Sequence, residues 1–425
     1  MRVLTAVAMA LLMVPGAAMA SEAGDRLAQR LYDGTLERSQ AATLKLCEES
    51  NADACFAAGL TELIGGVETL TQAFYRHGAT VPGMGPAALM LGIGDGGAPV
   101  PANPNPEPLS YEQLRVILHE FVTTLDVARE HFEIAGAAGD YVLLIDPLQV
   151  RLDLNGDGKR DAGDTLGALI GPLGEFADMP VPSAPGHKTK NKPGAPTATT
   201  IGFDRADALW FAGYTQITAA PIDLLLAHDF SAFFNAYLHR VFPKAGLPMQ
   251  PYSVGGSLFM DAESDAGIAD IIAAIHTIDF PVADSTRLAG VLTRLHRITD
   301  LSRRNWEAIL LETDDNRELI PSPRQTALMP DMAITQGSVD AWMATLTTID
   351  DILAGKLLLP HWRFKQGFDL KAYFETATET DLVMLFTGYG ALPFIKDGPV
   401  ADAESFAELN RVFGDDWPIF ALWFN

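Results

Sequence analysis

Residues 203–226 read FDRADALWFAGYTQITAAPIDLLL, and this stretch decides the fold. Asp204 is an N-cap residue type. Ala208, Leu209, Trp210, Phe211, Ile217, Ile222, Leu224, Leu225 and Leu226 then place apolar side chains on every face of a helix. A helix with no polar face belongs at the centre of a helical body, because none of its sides is suited to water. Pro221 lacks the N–H that a helix interior uses, so the stretch is expected as one kinked helix or two consecutive ones.

On either side of it the helical period continues. Ala23–Tyr32, Ser39–Glu49 and Asp53–Tyr75 carry apolar residues at i, i+3, i+4 spacing. Ser110 and Gln113 form a capping-box pair that opens a helix with the stripe Leu114, Ile117, Phe121, Leu125, Ala128 and Phe132. Beyond the central stretch, Gly267–His276, Ser285–Leu311 and Val339–Leu353 read as helices. Tyr373–Phe386 and Ala403–Val412 read as shorter ones, Leu357–Phe364 as a strand, and the aromatic C-terminus Trp417–Phe424 as a segment that packs on the body. The period changes once, at Tyr141–Ile145 and Leu148–Leu152, two β-like runs around Asp146-Pro147. The expected fold class is therefore mainly α: a multi-helix globular body with a minor β-hairpin. Composition shifts divide the chain into an N-terminal helical region (21–91), a Gly/Pro-rich linker (92–109), a helix and hairpin region (110–178), a Pro/Gly/Thr-rich loop (179–200) and a C-terminal helical region (201–425).

The hairpin leads into Asp153-Leu154-Asn155-Gly156-Asp157-Gly158-Lys159-Arg160-Asp161-Ala162-Gly163-Asp164, and a helix is expected from about Thr165 to Phe176. Oxygen donors fall at positions 1, 3, 5, 9 and 12, the Lys159 carbonyl takes position 7, and Gly158 sits at position 6, where the chain turns sharply. Ca²⁺ is a hard cation that takes six to eight oxygens, so Asp153, Asn155, Asp157, Lys159, Asp161 and Asp164 are the candidate ligands. The motif resembles EF-hand loops, and in spacing is more similar to thrombospondin type 3 repeats and dockerin loops. Over these twelve residues the resemblance implies a structural Ca²⁺. Two departures stand out: Asp164 replaces the usual Glu at position 12, and Arg160 occupies position 8, where an aliphatic residue usually packs. An Asp/Gly-rich surface turn is the alternative.

Residues 1–20 have the layout of a secretory signal peptide: Arg2, the apolar run Leu4–Val14, and Ala18-Met19-Ala20 as the cleavage site. A periplasmic or secreted chain beginning at Ser21 is expected. In that compartment calcium is abundant enough to hold an imperfect loop occupied. Cys47 and Cys55 would form a disulfide if the turn-forming Ser50–Asp53 breaks the helix between them; on one continuous helix they would lie too far apart. Two free thiols are the alternative. Their spacing is similar to that of Sel1-like helical repeats, of which only one copy is present. A formal charge of −24 disfavours nucleic acid and anionic membranes, while 48% hydrophobic residues suffice for a real core. No later apolar run reaches the length of a membrane span.

No specific catalytic motif is present: no nucleophile elbow, no H-E-x-x-H, no P-loop and no C-x-x-C. The expectation therefore leans toward a non-catalytic protein that binds a ligand or partner of the cell envelope. The alternatives are an envelope hydrolase with an acid/base site near Asp207, Tyr214 and His228, and an adhesion or extracellular-matrix module. Two further acidic groupings have plainer readings. His119, Asp126, Glu130 and Glu133 read as a solvated helix face, and Asp261, Glu263 and Asp265 as N-capping acids.

Overall fold

The computed structural model describes residues 21–36, 41–49, 51–80, 102–161, 164–166, 199–315, 317–326, 334–402, 404–407 and 411. The signal-like segment 1–20, most of the loop 179–200, much of the linker 92–109, residues 167–176 and the aromatic tail lie outside them.

The expected mainly α body is what the chain forms. In order its helices are α1 (Glu22–Asp33), α2 (Ala41–Glu48), α3 (Ala52–Arg76), α4 (Tyr111–Ala137), α5 (Arg205–Leu226), α6 (Ser231–Tyr237), α7 (Ala262–Ile275), α8 (Ser285–Leu311), α9 (Gln336–Leu353), α10 (Leu370–Thr376) and α11 (Leu382–Thr387). Helix α3 packs on α4, α4 on α5, and α5 on α8, which also packs against α9 and α10. The all-round apolar α5 thus sits between α4 and α8. It runs through Pro221 as one helix and does not restart there, because packing on both flanks outweighs one missing hydrogen bond.

Helix starts follow the chemistry expected of them. Ser110 and Gln113 form a reciprocal capping box at α4, as do Asp204 and Asp207 at α5. Asp284 accepts from Arg287 N at the start of α8. The main core gathers Leu31, Phe56, Phe132, Phe203, Leu209 and Trp306 from six elements. Phe132 stacks on Phe211 at 5.3 Å, with Phe56 edge-on to both. Gly59 makes room for this cluster: a Cβ there would fall 2.8 Å from the Phe132 ring.

The strands are short: β1 (Leu143–Ile145), β2 (Ile201–Phe203), β3 (Asp279–Pro281), β4 (Leu359–Pro360), β5 (Gly367–Phe368), β6 (Glu379–Asp381) and β7 (Ile395–Lys396). The expected hairpin is corrected here. Strand β1 pairs antiparallel with β2, Leu143 opposite Phe203, and not with Leu148–Leu152. Pro147 has no N–H to give a ladder, and Asp146 caps a 3₁₀ turn over Pro147–Gln149 by accepting from Leu148 N at 3.1 Å. The run ending at Leu152 finds its partner on the other side of the acidic loop instead. Leu152 N donates to Asp164 O and Leu166 N to Val150 O, with Arg151 bridged to Thr165. The expected strand Leu357–Phe364 shrinks to β4. The expected helix Tyr373–Phe386 divides into α10 and α11 around β6, which pairs with β3.

Cys47 and Cys55 form a disulfide with Cα atoms 4.5 Å apart. The break between α2 and α3 permits the bond and folds α2 back along α3. No helix among the described residues is long and apolar enough to cross a membrane.

Candidate metal centre

The two ends of the loop 153–164 are held together by the Val150–Leu152 and Asp164–Leu166 pairing. Asp153 is buried, and its carboxylate accepts from Gly156 N at 2.7 Å and Gly158 N at 3.1 Å. Both glycines lie at positive φ, 73° and 76°, which bends the chain back over the Asp153 carboxylate. Asn155 accepts from Asp157 N, and Asp157 from Lys159 N. Asp164 turns its carboxylate to Asp161 N at 2.7 Å. The donor set is all oxygen and chemically suited to calcium.

The loop is anchored to the body by Glu68 of α3, which is buried. Its Oε1 accepts from Asp153 N at 2.7 Å, and Arg160 reaches both of its oxygens, at 2.8 and 2.7 Å. Arg160 also donates to Gly34 O beyond α1, and Gln72 of α3 donates to Asp153 O. Position 8, where an aliphatic side chain would pack, is therefore served by a bidentate ion pair joining the loop to α1 and α3.

A second group of carboxylates has no sequence motif. Asp204 at the start of α5, with Glu312 and Glu318 beyond the end of α8, brings three carboxylate oxygens within 4.8 Å of one another. Among the described residues this is the place where three such ligand atoms converge. Burial pushes Asp204 up to about 6, aided by Asp314, and pushes Glu312 up to about 9, aided by the charge of Asp204. Asp207, fully enclosed, is pushed up by the same burial and by Asp204 and Glu318. Such a group either shares protons or neutralises a cation. One signal in the sequence could have pointed to it. Glu312, Asp314, Asp315 and Glu318 follow a helix C-terminus, where the helix dipole disfavours acids.

Asp207, Tyr214 and His228 are not brought together. Asp207 and His228 stand at opposite ends of α5, separated by ~30 Å along its axis. Asp207 closes the capping box by accepting from Asp204 N. Tyr214 packs against Trp210, with ring centroids 4.3 Å apart and planes tilted by 38°. His228 has its Nδ1 2.7 Å from Leu224 O and its Nε2 2.7 Å from the Thr380 hydroxyl, which also meets Tyr373. Burial lowers its pKa, so the neutral ring donates from Nδ1 to Leu224 O and accepts a hydrogen bond from the Thr380 hydroxyl at Nε2.

The helix face with Asp126 is not simply solvated. Arg294 of α8 grips Asp126 through two nitrogens at 2.6 Å, Asp223 of α5 at 2.5 Å and the Gln216 carbonyl at 2.9 Å. Burial pushes Asp126 up, but Arg294 prevails and holds its carboxyl below the usual range. Glu130 and Glu133 pair with Arg129. Asp126, Arg129, Glu130, Asp223 and Arg294, with His119, line an open groove of about 560 Å³ between α4, α5 and α8. Asp261 caps α7 as expected, while Asp265 turns back to accept from Leu258 N and Phe259 N. The chain matches no protein-family model, no curated protein and no solved structure.

Proposed function

We propose that this is an exported, calcium-stapled helical protein that binds a ligand or partner of the periplasm and does not catalyse a reaction. The observation that carries the reading is the turn of residues 153–158 around the buried Asp153 carboxylate, with both turn glycines at positive φ. In this proposal Asp153, Asn155, Asp157, the Lys159 carbonyl, Asp161 and Asp164 hold Ca²⁺. The ion would neutralise four carboxylates and lock the loop that Glu68 and Arg160 tie to α1 and α3. A structural role is favoured because those anchors belong to the body of the fold. The disulfide and the signal-like segment support export.

The test is a thermal melt of the mature chain in EDTA, then with millimolar Ca²⁺ or Mg²⁺. Saturating an extracellular-type site stabilises by ~1–3 kcal/mol, which raises the melting temperature by a few degrees for Ca²⁺ and not for Mg²⁺. Asp157→Ala removes an exposed carboxylate, so it should abolish the calcium shift while leaving the melt in EDTA unchanged. Asp153→Ala should lower stability in both conditions. A wild-type melt indifferent to calcium, on a sample shown by metal analysis to be ion-free, refutes the proposal.

A further inference from the structure

Helix α7 is amphipathic, but its apolar face points away from the protein. Ile268, Ile271, Ile272 and Ile275 follow i, i+3, i+4, i+7 spacing and are each about half exposed, at 49, 56, 52 and 51%. The opposite face, which the fold buries, is small and polar. Asp270 is 7% exposed and receives Arg240 and His239, Gly267 lies against the Arg240 guanidinium, and Arg240 also pairs with Glu263 at 2.6 Å. The helix is thus held to its neighbour α6 and the turn beyond it by charge, and its four isoleucines are left outside.

The stripe is extended by Leu258 and Phe259, 77 and 85% exposed, in the segment before α7. Asp265 holds their backbone N–H groups, at 2.5 and 2.8 Å, so this apolar end is fixed at the helix N-terminus. These six large apolar side chains, four on α7 and two in the segment before it, together expose roughly several hundred Å², the scale of the largest, often functional, patch on a monomer and approaching the ~800 Å² per partner of a standard interface.

We infer that this face is covered by a second copy of the chain, with the α7 helices packed antiparallel about a two-fold axis near Ile271 and Ile272. The stripe is self-complementary under that symmetry, because Ile268 of one copy meets Ile275 of the other. Antiparallel packing also sets the N-terminal end of each helix beside the C-terminal end of its mate, the favourable arrangement of the two helix dipoles. Charge argues against a lipid surface. Residues 245–286 contain no Lys or Arg and six acids, whereas helices that lie on membranes carry basic residues beside their apolar face.

Sedimentation of the mature chain at tens of micromolar tests this. The expected species has twice the mass of the chain. Ile271→Glu with Ile272→Glu should weaken association by ~100-fold or more and leave a folded monomer, because both side chains are exposed in the single chain. Val116→Glu, a change at another exposed site, should leave the dimer intact. If the helix variant fails to fold, Phe259→Asp in the preceding segment carries the same test. A monomeric wild type overturns the inference. So does flotation with phosphatidylcholine vesicles that the double variant loses, which would identify lipid as the cover. A monomer that the double variant destabilises as a core substitution would also overturn it, since the protein's own chain would then cover the stripe.

Discussion

Glu68 shows how one side chain can organise a distant loop. It lies within α3, yet its two oxygens receive the Asp153 amide and the Arg160 guanidinium from 85 and 92 residues away. Removing it would leave a half-buried guanidinium and a buried N–H without their acceptor. Glu68→Ala should therefore cost ~3–5 kcal/mol in urea unfolding, the scale of a broken buried ion pair. In a double-mutant cycle it should couple strongly with Arg160→Ala. A cost near the ~0.5 kcal/mol of an ordinary surface change would show that the anchor carries no weight. Arg160 was conspicuous in the sequence as the wrong residue type for position 8. Its partner was not, because nothing local distinguishes Glu68 from any other glutamate in a helix.

At the scale of elements, the ends of α5 and α8 force acids together. Glu312 and Asp204 hold protons in the folded protein at pH values where the unfolded chain, with pKa values of 4.5 and 3.8, has released them. Folding therefore takes up protons between those values and the folded ones of about 9 and about 6. The stability these groups contribute is complete below the unfolded pKa values and is lost as pH rises through the folded ones. In EDTA, the wild type should lose several degrees of melting temperature relative to Glu312→Gln between pH 5 and pH 9, and the variant should be the more stable at pH 9. Parallel curves would remove the cluster from the account. The helices themselves were largely legible. Ser285–Leu311 has the bounds read from its stripe, because Asp284 caps it and 27 residues of periodic pattern leave little ambiguity. Tyr373–Phe386 read as one helix because the polar run 378–381 between its apolar ends contains no Gly or Pro to mark a break. Pairing of β6 with β3, about a hundred residues away in sequence, is what divides it.

At the scale of the molecule, Arg294 is the clamp that joins α4, α5 and α8 through Asp126, Asp223 and Gln216. Arg294→Ala should destabilise the whole helical array by ~3–5 kcal/mol, and Arg294→Lys should recover little of it, since an ammonium cannot reproduce the planar fork. Full recovery by lysine in chemical denaturation would reduce the clamp to simple charge. The sequence by itself determined that the body is helical, that 203–226 lies at its centre and where oxygen donors recur at calcium spacing. Each of these depends on periodicity or spacing within one segment, where backbone geometry ties position to direction. Only the tertiary structure decided that Glu68 anchors the loop, that Asp204 meets Glu312 and Glu318, that Asp207 and His228 stand apart, and that α7 turns its isoleucines outward. Those outcomes depend on which faces of distant segments meet, and burial acts on the assembled molecule, whereas sequence spacing reports only on a single element.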